Sequence, residues 1–133
     1  MEHISSREEI ANLLAVADRD LADCRTPGLS ADWRLNIAYN AALQSATAAL
    51  AAEGYRAARE AHHYRVIQSL AHTPRANPAL IAELDRFRKK RNIGGYERAG
   101  FVSDQEANEM TALAPRLRRM VTQWLYANHP DLI

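Results

Sequence analysis

Ten residues concentrate the chemistry of this chain: Arg88 to Glu97 reads RKKRNIGGYE, a run of four cations followed by an asparagine, two glycines and a tyrosine. Arg91 carries a planar fork of N–H donors that can clamp a phosphate through two parallel bonds. Asn92 and Tyr96 complete a polar set, and Lys89 and Lys90 add positive charge beside it. The same ten residues also describe a helix end. Cations in a last turn complement the negative end of the helix dipole, and Gly94 or Gly95 suits the left-handed residue that closes a helix. A helix C-terminus is moreover the wrong dipole end for a phosphate. On spacing alone the helix end is the preferred reading.

The elements that must position these residues are helical throughout. Ser6–Glu9 reads SREE, a capping box that starts a helix, and Ile10, Leu13, Leu14, Ala17 and Leu21 then recur at the spacing of one buried face. The spacing predicts a first helix from about Arg7 to Cys24, stopped by Pro27 and Gly28. Ser30 caps a second, Ala-rich helix with Tyr39, Leu43, Ala46 and Leu50 on one stripe, ending at Gly54. A third runs from about Arg56 to Ala71, with Ala57, Ala61, Tyr64, Ile67 and Ala71 at helical spacing. Asn77 followed by Pro78 opens the fourth, whose stripe Leu80, Leu84 and Phe87 continues to Arg91, while Arg86, Lys89 and Lys90 lie on another, solvated side. Ser103–Glu106, SDQE, is a second capping box. It opens a last helix through Met110, Leu113, Leu117, Val121 and Trp124, which Pro115 should kink or split. No segment alternates with period two, so the expected fold is all-α: one domain over residues 1–133, an antiparallel bundle of four to five helices.

Composition narrows the function classes. Seventeen basic residues against sixteen acidic ones leave a formal charge of +1, without the overall positive charge of a protein that lives on nucleic acid backbones. Any such contact must be local, and Arg86–Arg98, with six cations and one acid, is the local exception. The single Cys24 has no partner for an internal disulfide and suits a reducing compartment. The start MEHISSREEI has no apolar h-region, and the run AALQSATAALAA is too short and polar to span a bilayer. A cytoplasmic protein without membrane contact is expected.

The order of an amphipathic first helix, an Ala-rich helix leading to EGYRAAREAHHYRVIQSL, then LDRFRKKRNIGGYE, then a capping-box helix ending in MVTQWL resembles the HEPN superfamily, the higher eukaryotes and prokaryotes nucleotide-binding domain. The resemblance covers roughly Arg7 to Leu125. It implies a helical bundle, often homodimeric, from toxin–antitoxin or other defence systems, frequently beside a nucleotidyltransferase or antitoxin partner. Many members are metal-independent RNases whose motif is an arginine, a polar residue, and a histidine four to six residues on. Arg91 and Asn92 match the first two positions. The histidine window holds Tyr96, Glu97 and Arg98, so the chain is closer to a branch reading R-x-x-x-D-Y, with Gly95 in place of the Asp. The change matters because cleavage by the 2′-hydroxyl needs a group that takes a proton near neutral pH. Histidine does so at about 6.5, and tyrosine, at about 10, does so poorly.

The resemblance without its histidine implies a non-catalytic binding or regulatory protein contacting RNA or a partner protein through Arg91, Asn92, Tyr96, Lys89 and Lys90. Two alternatives stand beside it: a metal-independent RNase using Arg91, Asn92 and Tyr96 in a modified site, and a homodimeric scaffold with no nucleic-acid role. No cofactor is implied. No two histidines have the i, i+4 spacing that grips one metal, so no metal site is expected, and His62, His63 and His72 read as helix-surface residues. Trp33, Trp124 and Tyr126 suggest an aromatic wall, although Trp124 falls on the apolar stripe. Arg116, Arg118 and Arg119 read as the wet face of the last helix. A homodimer is expected, because the Ala-rich faces exceed what one small bundle needs to bury.

Overall fold

The computed structural model describes residues 6–55, 62–72, 76–97 and 102–133; the side chains of residues 62 and 91–97 are outside the described set. Five helices follow in order: α1 (Arg7–Asp23), α2 (Ala31–Ala52), α3 (His62–Ser69), α4 (Pro78–Glu97) and α5 (Asp104–Asn128), and then a short 3-10 turn at Pro130–Leu132. No strand occurs among the described residues. None of the described helices is long and apolar enough to cross a membrane.

Local side-chain chemistry starts four of the five helices where expected. The Ser6 hydroxyl accepts from the Glu9 amide at 3.0 Å, Ser30 from Trp33 at 3.2 Å, and the Asn77 side chain from Leu80 at 2.8 Å. Ser103 forms the full reciprocal box: its oxygen accepts from the Glu106 amide at 3.1 Å, and the Glu106 carboxylate accepts from the Ser103 amide at 3.0 Å. Each cap contributes about 1 kcal/mol by satisfying a donor the helix cannot. Gly54, at φ +89, closes α2 in the left-handed conformation that other residues resist.

The second helix is the core of the molecule. It packs on all four of the others, with α1 against α5 and α3 against α4, so it runs between two helix pairs. Its alanines at 38, 41, 42, 46, 48, 49, 51 and 52 are buried, as are Leu35, Tyr39 and Leu43, while Asn36, Asn40, Gln44 and Thr47 keep a partly exposed stripe that begins at the exposed Trp33. A helix with so wide an apolar face and only a narrow polar stripe is largely interior. The alanines are therefore taken up by helices of the same chain, and they no longer argue for a second copy. Sequence neighbours α1 and α2 are antiparallel, whereas α2 and α5 run the same way. At their starts Arg34 donates to Asn108 at 2.7 Å, and at their ends His129 lies 3.5 Å from Glu53.

Three expectations change in detail. The buried face of α3 is Val66, Ile67 and Leu70; Tyr64 and Ala71 are exposed, and Ala57 and Ala61 lie outside the described residues. In so short a helix a shift of one or two residues turns the whole face. Pro115 does not split α5, which is continuous from Asp104 to Asn128. One missing N–H is tolerated because Leu113, Ala114 and Leu117 are seated in the core on both sides of it. Finally, α4 does not stop at Gly94 or Gly95 but stays helical to Glu97. Glycine permits a left-handed cap without requiring one, at a helical cost of about 1 kcal/mol relative to alanine.

Candidate functional site on the α3–α4 face

The fourth helix is anchored by Leu80, Leu84 and Phe87, all buried as the stripe predicts. Because the helix runs unbroken to Glu97, Arg91 stands four residues after Phe87 and Asn92 four after Arg88, in the registers of those residues. The side chains of Arg91, Asn92 and Tyr96 are among those outside the described set.

The cations that precede them are engaged. Arg88 donates through Nε to Asp85 at 2.7 Å, and Lys89 reaches the other oxygen of the same carboxylate at 3.4 Å. Partial burial pushes the Asp85 carboxyl up, but the hydrogen bonds and charges of Arg88 and Lys89 outweigh it and hold the group below the ordinary carboxylate range. On the far side of the helix Arg86 meets Glu109 at 3.0 Å and Glu106 at 3.7 Å, and Lys90 meets Glu106 at 3.3 Å. The side of Arg86 and Lys90, expected to be merely solvated, is thus the seam between α4 and the first turn of α5. Glu106 is held below its usual range first by the Ser103 amide, against partial burial, with the Ser103 hydroxyl and Lys90 adding to it. Lys90, a candidate contact residue, is committed to that seam, whereas Lys89 keeps 66% of its side chain in solvent.

The third helix contributes what the sequence did not signal. The Arg88 guanidinium lies 5.3 Å from the ring centre of Tyr64, a cation–π contact, and Tyr64 remains 45% exposed. The adjacent residue, His63, turns inward, its Nδ1 lying 3.3 Å from the phenol oxygen of buried Tyr39 on α2. The α3–α4 face therefore gathers an exposed aromatic ring, a guanidinium held beside it by a carboxylate and an exposed ammonium, with the half-buried His63 imidazole turned away toward α2. Asp85 at i, i+3 and i, i+4 from its two cations was legible as a pattern. Tyr64 was placed on the apolar stripe, and nothing local revealed that it faces Arg88.

The remaining candidates disperse. Trp33 and Tyr126, 63% and 62% exposed, stand near the start of α2 and the end of α5, at opposite ends of two helices that run the same way. They form no wall. Trp124 is half-buried against the core beside the His129 ring. Of the three arginines on α5, Arg118 is bound to Asp18 at 3.0 Å and to the Thr122 hydroxyl, whereas Arg116 and Arg119 are exposed. Among the described residues no three His, Cys, Asp or Glu side chains gather as a metal-ligand group. Comparisons with protein-family models, with curated proteins and with solved structures give no significant match.

Proposed function

We propose that this chain is a binding protein rather than a catalyst and that it contacts single-stranded RNA across the α3–α4 face, in the toxin–antitoxin or defence setting that the HEPN resemblance implies. The observation that carries this reading is the exposed Tyr64 ring with the Arg88 guanidinium stacked beside it and Lys89 next to it. Aromatic rings interleaved with cations hold unpaired bases by stacking and the backbone by charge, without sequence preference. Asn92 follows one turn further along α4 in the register of Arg88, and Arg91 in that of Phe87. Asp85 neutralises part of the local charge, which fits modest, salt-sensitive binding.

One observation favours a second reading, the metal-independent endoribonuclease. It is supported by His63, the neighbour of Tyr64 on α3, whose imidazole Tyr39 of α2 holds at 3.3 Å, although α4 lacks the motif histidine. The two readings separate in one experiment. Binding of a fluorescent single-stranded RNA is expected to weaken about 5- to 150-fold in Tyr64→Ala, the worth of one stacked base, and to weaken in Arg91→Ala with the fold intact, while the RNA stays uncut. Rapid metal-free cleavage, lost in His63→Ala or Tyr96→Phe, would select the nuclease. Binding that neither Tyr64→Ala nor Arg91→Ala changes would leave a scaffold and a helix end.

A further inference from the structure

A second site lies away from the α3–α4 face, at the turn between α1 and α2. A cleft of about 490 Å³ opens there, its lining including Cys24, Arg25, Thr26, Gly28 and Arg34 and Thr111 of α5. That volume suits a small ligand. Arg25 is exposed and has no ion-pair partner among the described residues. Arg34 is fixed in place: one terminal nitrogen donates to Asn108 at 2.7 Å, and the other lies 3.4 Å from Asp104, whose carboxylate is largely in solvent. Two of its five N–H donors are so occupied, and among the described residues no further bond engages the rest. Cys24 forms the floor, buried and bonded through Sγ to the Leu21 carbonyl at 3.3 Å. Burial pushes its thiol pKa up, with the Asp20 carboxylate acting in the same direction, whereas Arg25, the Cys24 backbone amide and Arg34 act to bring it down.

We infer that this cleft is a binding site for a small phosphorylated molecule, gripped between Arg25 and Arg34. Two guanidiniums, Arg34 held by Asn108 and only weakly compensated by the solvent-exposed Asp104, and Arg25 exposed, suit the several oxygens and the charge of a phosphate better than a single carboxylate. The Thr26 and Thr111 hydroxyls suit the rest of a polar ligand. The site is independent of RNA contact at Tyr64 and Arg88.

The probe is inorganic pyrophosphate, titrated into the full chain and followed by the backbone amide resonances of Thr26 and Gly28. Saturable shifts are expected at both. Arg25→Gln, a surface change that removes no internal bond, is expected to weaken binding roughly tenfold, the worth of a charge-assisted hydrogen bond. Arg119→Gln, which removes an exposed arginine elsewhere, should leave the affinity unchanged. Shifts that do not saturate, equal affinity in Arg25→Gln, or an equal loss in Arg119→Gln would overturn the assignment.

Discussion

Replacing Asp85 by asparagine should move stability and RNA affinity in opposite directions. The carboxylate accepts from Arg88 at 2.7 Å and lies 3.4 Å from Lys89, with its own side chain and that of Arg88 mostly buried and Lys89 largely in water. A hydrogen bond between charged groups contributes about 1.5–3 kcal/mol, and an amide oxygen retains part of that bond, so the loss at Arg88 is about 1 kcal/mol. The exposed Lys89 pair adds little. In a chain of this size that corresponds to a Tm lower by about 3–5 °C. The same substitution removes one negative charge from the binding face. A unit charge about 5 Å from a phosphate in water is worth about 0.8 kcal/mol, so the variant should bind single-stranded RNA about fourfold more tightly at low salt. The gain should fade as salt shortens the screening length. Since the folded Asp85 carboxyl is held below its ordinary value, its contribution is present above the unfolded value of about 3.9 and lost as pH falls through the folded one; the stability gap between wild type and Asp85→Asn should therefore close below about pH 4. Thermal melts against pH and fluorescence anisotropy against salt measure both arms. An Asp85→Asn protein that binds RNA more weakly than wild type, or equally, would refute the view that Asp85 restrains the cations of this face.

Two further outcomes test the frame that carries the site. Asn40→Ala should cost about 1–2 kcal/mol in urea unfolding, because its amide donates at 2.6 Å to the buried Asp20 carboxylate, and Asp20→Asn in the same chain should make the two changes non-additive; additive losses would show that the pair is not coupled. Ser103→Ala should cost about 1 kcal/mol and loosen the α4–α5 seam through Glu106, read as faster hydrogen exchange in the first turn of α5; unchanged exchange there would separate the cap from the seam.

The sequence by itself determined the helical class and nearly every helix start, since a cap is a bond between a side chain and a backbone amide three residues on and needs nothing from the rest of the chain. Ser6, Ser30, Asn77 and Ser103 all sit where that rule puts them, and Leu80, Leu84 and Phe87 are buried where their spacing requires. Helix ends were less legible. Gly94 and Gly95 permit a stop that the chain does not take, because a glycine removes a steric penalty without supplying a force. What only the tertiary structure decided are the pairings between helices distant in sequence: α2 packed against all four other helices of its own chain, Lys90 and Arg86 locked to the start of α5, Tyr64 turned out beneath Arg88, and Arg25 and Arg34 brought to one cleft. A side chain's partner across such a gap depends on how two helices cross and rotate. Those angles follow from the packing of the whole core and leave no trace in any local run of residues.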